Sequence, residues 1–202
     1  MIGIKEIKIA IAGQFRAGKD TVCELMRDEF RHQNFHKKEL SMRQFAFGDY
    51  LKSISQALFP ERFSGKKDRD VLQKVGQFAR SIEPNVWIAK VDTDLKMSIE
   101  YQRQSGAEIS VSFITDARQP NEFEYCRENN FHIIKVIADK EIRKRRAEQD
   151  GDSFSEDNFN HETEQHVSTL DADYTIENNE DLHSLIKRVE EVVEDILRKE
   201  GM

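Results

Sequence analysis

Residues Gly13-Gln14-Phe15-Arg16-Ala17-Gly18-Lys19 have the spacing GxxxxGK, and their flanks restrict the fold more than any other stretch of the chain. From Ile4 to Ala12 the sequence alternates through Ile7, Ile9 and Ile11 and then becomes wholly apolar, the pattern of a short strand buried on both faces. After the motif, Val22, Leu25, Met26 and Phe30 recur at helical spacing. A strand, a glycine turn and a helix therefore follow in order, which is the first half of a βαβ unit. In that setting the motif reads as a phosphate-binding loop. Gly13 and Gly18 free the backbone to turn N–H groups inward, Lys19 reaches outer phosphates, and the start of the helix adds a positive dipole end. The residue after Lys19 is Asp20, where Ser or Thr ordinarily offers a hydroxyl to Mg²⁺, and Thr21 follows. Asp20 can meet the metal's water shell or cap the helix, and Thr21 can take the metal instead; the spacing leaves these open.

Beyond this unit the periodicity keeps switching. Strands are expected over Arg43 to Phe47, between Gly106 and Asp116, over His132 to Ala138 and over Asp173 to Glu177. Helices are expected over Asp49 to Leu58, Val71 to Ile82 (with Leu72, Val75 and Phe78 on one side), Val86 to Tyr101 and Gln119 to Asn130. A short basic helix is expected from Lys140, and a last helix carries a stripe of Leu182, Leu185, Ile186, Val189, Val193, Ile196 and Leu197. Pro60 and Gly65 mark a loop, and the polar stretch Gln149 to Glu164 is the one irregular segment expected to be mobile. Strands alternating with helices predict an α/β chain with a mostly parallel sheet covered on both faces.

Length and charge set the outer bounds. The chain has 202 residues, which suits a single domain, and only 9 Gly and 3 Pro, which excludes collagen-like and low-complexity classes. With 31 Lys+Arg against 38 Asp+Glu the net charge is −7, which argues against an extensive nucleic-acid surface and leaves room for one local cationic site. No apolar run is long enough to span a bilayer and the first residues lack a secretory cleavage site, so no membrane partner and a cytoplasmic setting are expected. Cys23 and Cys126 are isolated and read as buried small hydrophobes. His32 and His36 lie at i,i+4 spacing without a further ligand in a zinc pattern, and His161 and His166 have no nucleophile-and-base arrangement around them.

The remaining polar residues at strand ends distinguish among nucleotide-binding proteins. Asp49 and Lys52 follow an apolar strand, where open α/β sheets gather ligands; Asp49 also reads as an N-cap. Thr115-Asp116-Ala117-Arg118 ends the next strand, where the carboxylate can hold Mg²⁺ through water and the guanidinium can fork onto a substrate phosphate. Arg80 serves the same phosphate or a solvated helix face. Trp87 reads as core or as the wall of a base pocket. Arg143, Lys144, Arg145 and Arg146 form the densest basic cluster, at the edge of the irregular segment, and read as lid cations or as a surface face.

Together GQFRAGKDT, FAFGDYLK, QKVGQFARSIEPNVWIAKV, ITDARQPNEFEYCRENNFHIIKV, IRKRRAEQDG, HETE and DADYTIENNEDLHSLI resemble the deoxynucleoside monophosphate kinases of bacteriophages and their bacterial relatives, from about Ile7 to Leu197. The resemblance implies a three-layer α/β/α P-loop kinase fold over residues 1–202, with an acceptor-binding helical region over about 49–104 and a small lid over about 140–165. It implies transfer of the ATP γ-phosphate to a nucleoside monophosphate with Mg²⁺. By position, Gly13 to Thr21 hold ATP, and Asp20, Thr21 and Asp116 serve the metal or its waters. Asp49, Lys52, Arg80, Trp87 and Arg118 meet the acceptor, and Glu122 orients Arg118. Arg143 and Arg146 are lid arginines, and Asn178 lies beside the donor base. Dephospho-coenzyme A kinases have a similar loop, a similar Asp after the second strand and a similar ending, and remain the alternative among kinases. A nucleotide-binding regulator that transfers nothing is the alternative outside them. Both a monomer and a homodimer are compatible with the chain.

Overall fold

The hexapeptide ISVSFI presents no charged face to water, and in the computed structural model it forms strand β3 (Ile109–Ile114), buried at every residue. The structure describes residues 4–33, 39–64, 68–149 and 162–202. Gly65, His36, His161 and positions 150–161 of the expected lid lie outside the described residues. Beside β3 runs β1 (Lys5–Gly13), in parallel register with Ile9 opposite Phe113. The sheet is completed by β2 (Leu40–Phe45), β4 (His132–Ile137) and β5 (Tyr174–Glu177) in the order β2-β3-β1-β4-β5, with every pairing parallel.

Successive side chains of a strand point to opposite faces. Ile7, Ile9 and Ile11 therefore meet one helical layer, α1 (Lys19–His32) and α8 (Leu182–Lys199), through Val22, Met26, Phe30, Val189 and Val193. Ala10 and Ala12 face the other layer, where Phe47 of α2 (Phe47–Leu58), Trp87 and Val91 of α4 (Val86–Gln104), and Phe123 of α5 (Pro120–Glu128) pack with Val167 of α7 (Glu162–Thr169). α3 (Arg69–Ile82) packs on α2, and α6 (Lys140–Gln149) follows β4. The result is the expected α/β/α sandwich. Both cysteines are buried, and burial pushes the Cys23 thiol up to about 11 and the Cys126 thiol up to about 12.

Several boundaries differ for physical reasons. β2 runs over Leu40–Phe45 instead of Arg43 to Phe47, and α2 begins at Phe47, two residues before Asp49. The earlier start is set by Asp116, whose carboxylate accepts the Phe47 and Gly48 N–H groups at 2.7 and 2.9 Å. Asp49 is consequently not the N-cap; Ala46 is. Pro60–Phe63 forms a 3-10 turn within the expected loop, and the end of the expected irregular segment, Glu162 to Glu164, opens α7. Phe78 is not on the buried side of α3: it is 69% exposed, because the helix turns Leu72 and Gly76 inward. A Cβ on Gly76 would lie 3.1 Å from Leu51 Cδ2, so α3 approaches α2 through its smallest residue. Leu182, at the start of the expected stripe, is 58% exposed where α8 leaves the sheet.

Candidate donor and acceptor sites

All five strands deliver their carboxyl ends to one rim, and strand order reverses beside β1, where its neighbours are β3 and β4. That crevice is where doubly wound sheets hold ligands. Gly13 ends β1, and Gly18, at φ 92°, is the N-cap of α1 with no side-chain cap. Asp20 therefore does not cap the helix; it is exposed in the first turn, where its carboxylate meets Lys19 Nζ. Thr21 is exposed beside it. Arg16 adopts φ 60°, and the Ala17 N–H closes a turn onto the Gln14 carbonyl at 3.0 Å. The first-turn N–H groups of α1 lack intrahelical acceptors, so the loop presents backbone donors, a dipole end and the Lys19 ammonium together.

This cradle fits a polyphosphate on two observations. A Cβ on Gly13 would lie tightly at 3.0 Å from Lys19 Cβ, and a Cβ on Gly18, at φ 92°, would collide with Asn178 Nδ2, so the loop is closely packed at Gly13 and requires glycine at Gly18. For a magnesium ion, Asp20 and Thr21 are the available oxygens; Mg²⁺ characteristically takes few protein ligands and keeps waters and substrate phosphates. Asp116 has a different immediate task from the metal role expected of it, since its two oxygens hold the start of α2. Burial pushes the Asp116 carboxyl above the usual carboxylate range, against the N–H bonds from Gly48 and Phe47 and the charges of Lys52 and Arg118.

The residues expected at a lid or beside a base lie under the loop. The Arg143 guanidinium is buried, with Nε 3.0 Å from the Ala138 carbonyl, one terminal nitrogen 3.3 Å from the Phe15 carbonyl and the same nitrogen 3.2 Å from Glu164 Oε2. Among the described residues Arg143 is thus tied to the Ala138 and Phe15 main chain and to Glu164. Helical periodicity carried this signal: Arg143, Arg146 and Ala147 share one face of α6, with Ala147 fully buried, while Arg145 is exposed. Arg146 reaches the Arg16 and Ala17 carbonyls at 3.5 and 3.4 Å and the Asn178 carbonyl at 3.0 Å. Asn178, placed beside the donor base by resemblance, has its carboxamide engaged at both ends: Nδ2 donates to the Ala17 carbonyl at 2.8 Å and Oδ1 accepts from Arg146 at 3.2 Å. Glu164, given no role from sequence, accepts the Phe15 N–H through both oxygens at 2.9 Å.

Across the crevice the arrangement is looser. Asp49 and Lys52 are exposed and paired at 2.7 Å in the first turns of α2. Glu122 is buried and accepts the Arg118 and Gln119 N–H groups at 2.8 and 3.0 Å, closing a capping box on α5; it therefore fixes the main chain of Arg118 and leaves the guanidinium to other partners. Among the described residues the Arg118 side chain makes no hydrogen bond or ion pair. Arg80 is not a solvated face residue: its guanidinium stands 3.7 Å from Glu122 Oε1. Trp87 belongs to the core, with its Nε1 buried and unpartnered, so it packs beneath this side. Arg80 thus stands beside Glu122, and the charges of Lys52 and Arg118 act on Asp116.

No protein-family model and no curated protein matches the chain. Among solved structures it is similar to TT1252 from Thermus thermophilus, with TM-score 0.55 and 21% identity over 94% of this chain and 97% of that one. It is also similar to a gluconokinase from Sinorhizobium meliloti 1021, with TM-score 0.52 and 12% identity over 97% and 96%. These likenesses establish the fold: a five-stranded parallel sheet between helical layers. Among the described residues no helix is long and apolar enough to cross a membrane.

Proposed function

We propose that the chain transfers the γ-phosphoryl group of ATP to a (deoxy)nucleoside 5′-monophosphate, forming the diphosphate. What supports this reading is the presence of two cationic groups: the glycine cradle with Lys19 after β1, and Arg118, Arg80 and Lys52 about the buried Asp116 and Glu122 carboxylates. A protein that only held a nucleotide would need the first group alone. The resemblance of TDARQPNE and of the stretch around Trp87 to the deoxynucleoside monophosphate kinases supports the finer choice of acceptor.

Phosphoryl transfer needs positioning and charge stabilisation more than covalent help from the protein. An acceptor phosphate oxygen forms the new bond to the γ-phosphorus as the bond to the β–γ bridging oxygen breaks. Lys19 draws the charge developing on the donor side, and the Arg118 fork holds the acceptor phosphate. Asp49 orients the acceptor and abstracts no proton, because a phosphate monoester is already ionised at neutral pH. Asp20 and Thr21 are the residues that would hold a magnesium ion, directly or through water, and such an ion would supply neutralisation of phosphate charge.

A coupled ADP-release assay over a panel of ribo- and deoxynucleoside monophosphates, with dephospho-coenzyme A included, tests the reading. Release with one monophosphate supports it and names the acceptor. Release with dephospho-coenzyme A alone moves the chain to the rival kinase class, and ATP binding without release from any acceptor makes it a regulator.

A further inference from the structure

We propose that Glu164 is a positioning residue for the nucleotide cradle, acting through the Phe15 peptide with Arg143 as its buried counter-charge. The inference deepens the donor-site reading above and rests on it.

The Phe15 peptide is gripped from both sides. Its N–H donates to both Glu164 oxygens at 2.9 Å, and its carbonyl accepts from Arg143 at 3.3 Å. Arg143 and Glu164 are joined at 3.2 Å, and each side chain is only 6% exposed. The next residue, Arg16, has φ 60°, a left-handed conformation that a non-glycine residue keeps only where its surroundings over-determine it. Fixing the peptide before that residue fixes the direction in which the loop turns toward Lys19. The two grips come from different helices: Arg143 from α6 and Glu164 from α7, whose Val167 is anchored in the core.

A buried ion pair is a poor device for stability alone, since matched apolar side chains of similar volume stabilise as well or better. What apolar side chains cannot do is accept the Phe15 N–H or donate to its carbonyl. The pair therefore acts on loop geometry, and that makes stability and nucleotide affinity separable.

The test uses the full chain, with thermal unfolding and ADP titration calorimetry, on Glu164→Gln and on the double variant Arg143→Met with Glu164→Leu. Glu164→Gln is expected to weaken ADP roughly tenfold or more and to raise the KM for ATP by a similar factor, with the acceptor KM unchanged. The double variant, relieved of both charges but leaving the Phe15 N–H and carbonyl without these partners, is expected to keep ADP weakened by about the same factor, whatever its unfolding temperature. Wild-type ADP affinity in either variant overturns the proposal. Failure of the unaltered chain to bind ADP overturns instead the donor-site reading beneath it, which keeps the two failures distinct.

Discussion

The two sides of the crevice are built differently. On the donor side, nearly every polar group under the P-loop is buried and tied to the loop's own backbone: Asn178 and Arg146 to Ala17, Arg143 and Glu164 to Phe15. On the proposed acceptor side, Asp49 and Lys52 are exposed, Arg118 makes no hydrogen bond or ion pair among the described residues, and α2 and α3 display apolar side chains such as Leu58, Phe78 and Ile82 to solvent. Preorganised charge is worth most where it is held in place before the reaction. On the proposed reading, the donor half is organised within the protein, and the acceptor half is left for a ligand to organise.

Breaking the donor half should have the largest effect. Lys19→Ala is expected to lower turnover on the order of 100- to 1,000-fold with the fold intact, read by steady-state kinetics beside circular dichroism. Gly18→Ala comes next: φ 92° disfavours a side chain, and a Cβ there would displace Asn178. Denaturant unfolding should show a loss of about 2 kcal/mol or more, with weakened ATP binding.

Glu122 gives an intermediate, pH-dependent effect on the acceptor half. Burial pushes its carboxyl above the usual range, against the N–H bonds from Arg118 and Gln119. The folded state therefore favours the protonated form, so this contribution is complete below the ordinary carboxylate range and is lost as pH rises through the raised folded value. Thermal midpoints of the wild type should climb as pH falls toward the ordinary carboxylate range, and Glu122→Gln should flatten part of that climb. The smallest effect is expected from Phe78→Ser, a change at a 69% exposed position: stability should move by no more than about 0.5 kcal/mol in denaturant titration.

The same contrast explains what could be read from the sequence. The strand, glycine turn and helix around Gly13 to Lys19 are local, and periodicity exposed them, as it did the buried β3. Glu164 was hidden because the polar stretch around it has no periodicity and its partner, Phe15, lies 149 residues away. A carboxylate at a strand end suggests a role toward a metal or its waters for Asp116; its bonds to Phe47 and Gly48 span 69 and 68 residues and leave no mark in local spacing. Arg143 is the intermediate case, since the helical face it shares with Ala147 pointed inward while the run of four basic residues pointed outward.

The division of the crevice into a finished donor half and an open acceptor half is tested most directly by two-substrate initial-velocity kinetics on Arg118→Ala. The account predicts an acceptor KM raised roughly tenfold to a hundredfold and an ATP KM within about twofold of wild type. A raised ATP KM with the acceptor KM unchanged would contradict it.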